Sequence, residues 1–475
     1  MDKLSMERPD RGQKKFDSSK LARHTEKCHK MFDEIANGRT MYIKIDDIFP
    51  EYEAENETAS GIQYVEMSVL TDEIIEYDRE IFGNENKTEL LHTYRPYFIS
   101  FVFPLEKKNS RLIELLGDNW NIGRVINSDE ISSDEGIVLN GTMVSSASPV
   151  NHIEKRVLIF TNMAMKKAAL KEINSLYAPS IFTCKSNLQI EKELNRVWNA
   201  ECPKTIDIYN VGHGNADYIK GLKSRILYDI GYDYRTIPSL RNPKYCKATK
   251  AIRRLKPHCV ILSHWDLDHI IGCAYAEQDI FSVKWIAPHL LSKRDSKATI
   301  NSVRLANYLY YLDNLYLVDR DQINQLVATI DGANQIKIKL WLGSGAPDQN
   351  NITLKNKQGL LLEIIDEDNI YPHILLAGDT PYASMPDILS SRIDFMHVPH
   401  HGSRMKYDKL IALPVKGNCA IISTNRIKRS GAYNYNLLHH DILASKFDDV
   451  ICTVDDETNL SVQIRYGKNR WKFRT

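Results

Sequence analysis

The sequence predicts an α/β protein: a C-terminal sandwich of strands and helices preceded by an N-terminal α+β domain. Two observations carry this. From about residue 204 onward, short apolar runs alternate with helical stretches, and polar residues able to bind ions recur where those runs end. An α/β scaffold presents its chemistry at such strand ends. Between residues 39 and about 165, by contrast, alternating and aromatic runs outnumber helical ones. The length, 475 residues, exceeds what one hydrophobic core ordinarily serves. The expected division is a polar tail over 1–38, an N-terminal domain over 39–200 and a C-terminal domain over 204–475.

Composition narrows the class. Hydrophobic residues make up 43% and charged residues 26%, as in an ordinary globular chain. A net charge of +1 gives no global attraction to nucleic acid or membrane, although a basic groove is compatible with a neutral total. Eight cysteines stand at 28, 184, 202, 246, 259, 273, 419 and 452 without a Cys-x-x-Cys pair. Neither a zinc finger nor a disulfide framework is indicated. Cys259, Cys419 and Cys452 lie in apolar runs and read as reduced core residues. The N-terminus has no apolar signal segment and no run approaches about 18 apolar residues, so a cytoplasmic protein without a membrane span is expected.

In order, the polar tail runs into a helix near Ser18 to Ala36. Strands follow at 40–45, 64–70, 97–103, 136–139 and 156–160, with short helices at Glu73 to Glu80 and Ser110 to Leu116. The aromatic run at 97–103 reads as a buried strand in preference to a base-stacking surface. Ala164 to Ile173 and Asn187 to Trp198 suit amphipathic helices, the second with Leu188, Ile190, Leu194 and Val197 as apolar positions. Tyr177-Ala178-Pro179-Ser180 separates them.

The C-terminal domain opens with a strand at Ile206 to Val211 and the turn Gly212-His213-Gly214-Asn215. A hairpin of Asp217 to Ile219 and Arg225 to Gly231 places Asp229 at a strand end, and Thr249 to Leu255 reads as a helix. The apolar strand Cys259 to Leu262 then delivers Ser263-His264-Trp265-Asp266-Leu267-Asp268-His269. Two imidazoles and two carboxylates at one strand end are poor core material. Burying such groups unpaired costs roughly 2–7 kcal/mol for a neutral polar group and more for a charge, and a bound cation resolves the conflict. Further strands are expected at Val283 to Ala287, Ile336 to Leu342 and Leu360 to Ile365, with a helix over Ser302 to Asp313. Ile374 to Ala377 delivers Gly378-Asp379-Thr380, and Ile393 to Val398 delivers Pro399-His400-His401-Gly402-Ser403. A strand at Ala420 to Ser423, a helix from Asn436 carrying His439, and strands at Val450 to Val454 and Ser461 to Ile464 close the chain.

This ordered set resembles the metallo-β-lactamase fold, an αββα sandwich, and within it the hydrolase domain of ComEC-type DNA-uptake proteins. The likeness covers roughly 204–475. It rests on Val211-Gly212-His213-Gly214-Asn215-Ala216, Leu227-Tyr228-Asp229-Ile230-Gly231, the 263–269 segment, Leu376-Ala377-Gly378-Asp379, Pro399-His400-His401-Gly402-Ser403 and a reduced late element, Asn436-Leu437-Leu438-His439-His440. Each motif is weak alone; their shared order is specific. His213 and Asn215 stand where the family has Gln and Asp, and the late element lacks its Gly and Pro. The membrane channel is absent, so transport is not implied.

The resemblance implies a metal-dependent phosphodiester hydrolase, a nuclease that uses two divalent ions (Mn²⁺ or Zn²⁺, or Mg²⁺) to activate a water. It implies that His264 and Asp266 bind one ion, that Asp268, His269 and His400 or His401 bind the other, and that Asp379 bridges them. Asp229 would steer a ligand. Asp268 and His439 are the implied catalytic residues, His439 by contacting a scissile phosphate or the leaving oxygen. Ser403, with Arg404, would bind phosphate, a solvated surface being the alternative. Many relatives carry His where this chain has Asp266, and an oxygen donor there moves preference toward Mn²⁺ or Mg²⁺. A further histidine that many relatives place before the Gly-Asp strand is not found; His289, beside Pro288, reads as a loop residue. The first ion would then be weakly held or bind only with substrate present. Nucleic acid is the implied substrate, and a protein partner could dock through the N-terminal domain. Stand-alone members of the group occur in bacterial antiviral systems, a context that would suit such a docking domain. A hydrolase of a small molecule (a cyclic nucleotide, lactone or thioester) and a non-catalytic partner-binding module are the competing expectations.

Overall fold

The computed structural model describes residues 26, 30–50, 63–82, 98–105, 120–126, 136–145, 153–160, 167–177, 182–232, 251–274, 276–290, 298–322, 325–346, 348, 354–425, 435–455, 459–468 and 470–475. The N-terminal strands are β1 (Thr40–Pro50), β2 (Gln63–Leu70), β3 (Ile99–Leu105), β4 (Asn121–Ile126), β5 (Gly136–Ser145) and β6 (Ile153–Phe160). They pair antiparallel in the order β1-β2-β3-β5-β6-β4. The sheet closes on itself because β1 pairs with β4 as well as with β2. Alternation sends Met41 and Ile43, Val65, Met67 and Val69, and Phe101 and Phe103 into one buried core. The expected α+β region is therefore a small β-barrel with the helix α1 (Asp72–Phe82) packed on it and with Met31, Phe32 and Ile35 of the preceding helical segment in the same core. Residue 26 and residues 30–36 are helical; the expected helix at 110–116 lies outside the described residues.

Two helices lead onward: α2 (Lys167–Leu176) and α3 (Asn187–Trp198). Ser186 and Gln189 form a reciprocal capping box at the start of α3, satisfying two N-terminal amide donors. The helix buries Ile190, Leu194, Val197 and Trp198; Leu188, expected on the same face, is exposed.

The remainder forms two facing sheets. The first contains β7 (Thr205–Tyr209), β8 (Asp217–Lys220), β9 (Arg225–Tyr228), β10 (Cys259–Ile261), β11 (Lys284–Pro288), β12 (Leu315–Val318), β20 (Ser461–Arg465) and β21 (Arg470–Arg474), in the order β12-β11-β10-β9-β8-β7-β20-β21. The second runs β13-β14-β15-β16-β17-β18-β19, from Leu326–Asp331, Ile336–Leu342, Leu360–Asp366, Ile374–Leu376, Phe395–His397, Gly417–Ile422 and Phe447–Cys452. The short ligand-bearing helix α4 (Leu267–Ile270) and the longer α5 (Ile300–Tyr311) belong to the first sheet's connections. Helices α6 (Leu354–Lys357), α7 (Asp408–Ile411) and α8 (Leu437–Lys446) belong to those of the second.

Strand periodicity builds three cores. In β15, Leu360, Leu362 and Ile364 join the core between the sheets, with Ile226, Cys259 and Ile261 across from them. Leu361, between them in sequence, joins a separate core under α7 and α8. The outer face of the first sheet packs on α5 and shares one core with the barrel. The result is the four-layer αββα arrangement.

Barrel and sandwich are joined by buried polar contacts as well. Arg304 of α5 meets Asp78 of α1 through two bonds, Nε to Oδ2 at 2.5 Å and Nη2 to Oδ1 at 3.1 Å. Tyr177 donates its hydroxyl to the same Asp78 at 2.8 Å, and Asn301 donates to Ser100 Oγ at 3.1 Å.

Candidate metal centre

The candidate ligands follow the C-terminal ends of strands: most follow the parallel strands at the middle of the two sheets, and His213 follows the antiparallel β7. His264 to His269 follow β10, Asp229 follows β9, Asp379 follows β16, and His400 and His401 follow β17. The loops are tight. A Cβ on Gly231 would lie 1.9 Å from the Asp268 carbonyl oxygen, so only glycine admits the metal-motif loop here. Asp229, His400 and His401 adopt positive φ values of 57°, 49° and 55°. Non-glycine residues rarely take that conformation, and its cost is met by the packing around each.

The donors converge in two buried groups: His264, His269 and Asp379, and His213, Asp268 and His401, with the donor atoms of each group within 4.8 Å of one another. His269 Nε2 lies 3.1 Å from Asp379 Oδ1, and His264 Nε2 lies 3.7 Å from Asp379 Oδ2. His401 Nε2 is 3.6 Å from both Asp268 Oδ2 and Asp379 Oδ1, so the groups meet at Asp379. His264 Nε2, His269 Nε2, His401 Nε2 and Asp379 Oδ1 are buried and have no hydrogen-bond partner of good geometry. Buried polar atoms left this way are costly. Imidazole and carboxylate donors aimed into one space fit divalent ions.

Each ligand atom is aimed by the other end of its side chain. Asp229 Oδ2 accepts from His269 Nδ1 at 2.8 Å, and the same carboxylate accepts from Ser263 N at 2.6 Å and Ser263 Oγ at 2.7 Å. This leaves His269 Nε2 facing the site. Burial by itself would lower the His269 pKa, but the flanking Asp379 and Asp229 carboxylates carry it well above the usual imidazole value. Burial opposes ionisation of Asp379 too, yet His269, His401 and His400 hold its pKa well below the ordinary carboxylate range. His401 Nδ1 donates to the Ser423 carbonyl at 3.1 Å. Ser423 is in turn held by His397, whose Nε2 lies 2.8 Å from Ser423 Oγ and whose Nδ1 lies 2.7 Å from Asp217. Asp217, His397 and Ser423 are all buried, which makes this chain a support for His401 and not a nucleophile open to substrate.

The expected ligands are thus brought together, with a different partition. His269 stands with His264, and Asp268 stands with His401 and His213. Of the two adjacent histidines, His401 faces both carboxylates; His400 is partly exposed and reaches only Asp379, at 3.8 Å. Asp266 lies 3.2 Å from His264 Nε2 through one oxygen and forms an ion pair with Lys355 through the other. His439, expected at the substrate, is buried with both ring nitrogens engaged. Nδ1 donates to the Ser403 carbonyl at 2.9 Å, and Nε2 accepts the Tyr382 hydroxyl at 2.9 Å. Burial drives its pKa down to about 4. In this arrangement His439 braces the turn after His401, and a substrate contact would require one of those bonds to break. Ser403 presents a hydroxyl without a hydrogen-bond partner, and Arg404 is exposed. His289 lies away from the cluster, 3.4 Å from the Phe182 carbonyl.

His213, Lys355, His397 and Tyr382 join the site without a metal-ligand motif of their own in the sequence. His213 had a signal, since it replaces a family glutamine beside a glycine turn. Lys355 had none, because a lone lysine in a polar stretch ordinarily reads as solvated.

No family model matches the sequence, and no curated protein does either. Among solved structures, the chain is similar to the metallo-β-lactamase fold protein YhfI from Bacillus subtilis, at 12% identity over 52% of this chain and 96% of that one, with a TM-score of 0.28. It is similar to Zn²⁺-bound PqqB from Methylobacterium extorquens at 9% identity, over 55% of this chain and 99% of that one, with a TM-score of 0.31. A diphosphatase from the PhnP family matches at 13% identity over 50% of this chain and 72% of that one, with a TM-score of 0.25. At scores this low, the reading of the site rests on the chain's own residues.

Proposed function

We propose that the protein is a metal-dependent phosphodiester hydrolase acting on nucleic acid. The observation that carries the hydrolytic part is the meeting of two buried His-His-Asp groups at the Asp379 carboxylate. Adjoining ion sites that share a carboxylate suit in-line displacement at phosphorus. His264, His269 and Asp379 would hold one divalent ion, and His213, Asp268 and His401 the other. Ions bound there would acidify a water and polarise a phosphoryl oxygen.

The chain's own residues supply the rest. Asp229 fixes the tautomer of His269 and keeps Nε2 available as a donor. The Ser423 carbonyl does the same for His401. Ser403, whose buried hydroxyl has no hydrogen-bond partner at the turn after His401, would donate to a phosphate oxygen. Nucleic acid as the polymer follows from the sequence resemblance. The net charge of +1 favours the second reading, hydrolysis of a small phosphodiester, because no global charge draws a polyanion. No helix among the described residues is long and apolar enough to cross a membrane.

The test incubates purified protein with labelled single- and double-stranded DNA and RNA in Mn²⁺, Mg²⁺ or Zn²⁺. Cleavage that disappears in Asp268→Asn and His269→Ala variants is the expected result. Intact polymers alongside hydrolysis of small phosphodiesters would establish the second reading. A protein that takes up no metal on reconstitution would leave a partner-binding module.

A further inference from the structure

The interval between the His264–His269 loop and Gly378-Asp379 supplies no histidine to the site. His289 faces Phe182, and His373 is held by Glu363 at 2.7 Å and by the Arg392 carbonyl at 2.7 Å. What the interval supplies is Lys355. The short helix α6 carries it, it is 6% exposed, and its ammonium pairs with Asp266 Oδ1. Arg320 stands behind it, also buried, donating to the His289 carbonyl at 2.6 Å and to the Lys355 carbonyl at 3.4 Å. Burial lowers the Arg320 pKa to about 9, and Asp266 opposes that fall, so a second cation senses the same carboxylate.

We propose that Lys355 keeps Asp266 out of the metal coordination sphere, so that the ion beside His264 is held by His264, His269 and Asp379 and not by Asp266. This rests on the metal centre proposed above. A divalent ion and an ammonium on one buried carboxylate repel each other at short range. Asp266 Oδ2 stays 3.2 Å from His264 Nε2 while Oδ1 holds Lys355, and turning the carboxylate onto an ion shared with His269 and Asp379 would draw it off the buried ammonium, a costly state. With Asp266 withdrawn, each ion group offers two imidazoles and one carboxylate. Such a donor set suits Zn²⁺. The oxygen-rich site that Asp266 implied from sequence would have suited Mn²⁺ or Mg²⁺. Lys355 is thereby a positioning residue that holds Asp266 away from the ion.

The deciding experiment uses the full chain and reads metal, not activity. An Asp266→Asn/Lys355→Met double variant removes both charges together and leaves no orphaned buried ion. Elemental analysis after Zn²⁺ loading, Zn²⁺ competition against a chromophoric chelator and the visible spectrum of the Co²⁺-substituted protein are compared with wild type. The proposal expects the same ion count, an unchanged Co²⁺ spectrum and a Zn²⁺ affinity within about threefold, well inside the roughly 10–100-fold cost of losing even an outer partner of a ligand. Loss of one ion or a changed Co²⁺ spectrum in the double variant overturns it and makes Asp266 a ligand. Wild-type protein that binds no metal overturns both this inference and the metal centre. Metal bound by wild type and lost from the double variant overturns this inference alone.

Discussion

At the scale of single residues, the centre depends on side chains that aim other side chains. Asp229 touches three groups, and its bond to His269 Nδ1 sets which nitrogen faces the candidate ion site. Asp229→Asn should weaken Zn²⁺ binding by roughly 10–100-fold, the usual cost of removing such a partner, and chelator competition would measure it. His439 permits a pH prediction. Its folded pKa of about 4 lies below the ordinary value of 6.5, so the unfolded chain binds the proton more readily. Its contribution is fully present above about pH 6.5 and is lost as the pH falls through about 4. The linkage amounts to about 3 kcal/mol over that span. Urea unfolding of wild type and His439→Gln should show the variant losing less stability than wild type between those pH values. An equal loss in both would place the acid sensitivity elsewhere. Most of these roles were hidden from sequence. The residues Asp229 and His439 could be singled out there, but whether a nitrogen faces an ion or a neighbouring carbonyl depends on groups tens of positions away.

At the scale of elements, the buried Asp78–Arg304 pair ties α1 of the barrel to α5 of the sandwich. Arg304→Met alone leaves Asp78 buried without its cation and should cost about 3–5 kcal/mol. Asp78→Leu together with Arg304→Met should recover most of that loss, because no charge of the pair remains buried; chemical denaturation of wild type and the two variants checks both statements. At the head of α3, Ser186→Ala removes the cap and should cost about 1 kcal/mol. Element prediction from sequence succeeded in the centre of each sheet and failed at the margins. β10 and β16 read as strands because both faces are covered and their apolar runs are continuous, and β14 because Ile336, Ile338, Leu340 and Leu342 alternate with half-buried residues. The sandwich strands passed over were β12, β13 and β21, and each lies at a sheet edge. Edge strands carry charge and exposed residues that discourage pairing with other chains, as Arg470-Trp471-Lys472-Phe473-Arg474 does. β4 was missed for a different reason: Gly123 and Arg124 interrupt its alternation.

For the whole molecule, the barrel and the outer face of the first sheet share one apolar core, in which Phe101 and Phe103 belong with Trp285, Tyr308 and Leu309. Residues 204–475 expressed alone should therefore expose a broad apolar face, with Arg304 deprived of Asp78. Aggregation or strong dye binding of that fragment, relieved in the full chain, is the expected outcome. Metal should likewise stabilise the whole fold, because the donors converge in the native state alone. A melting temperature that falls on chelation and returns with Zn²⁺ would show it.

The sequence alone determined that an α/β region presents imidazoles and carboxylates at successive strand ends, and in what order. Apolar runs and local motifs carry that information, because strand burial and loop chemistry are properties of neighbouring residues. Only the tertiary structure decided the sharing of those ligands. His213 joined Asp268 and His401, while Lys355 claimed Asp266, although these residues are far apart in the chain. The reason is electrostatic. A buried carboxylate goes to whichever cation the fold brings within contact, and that choice is made by the packing of two sheets and their loops.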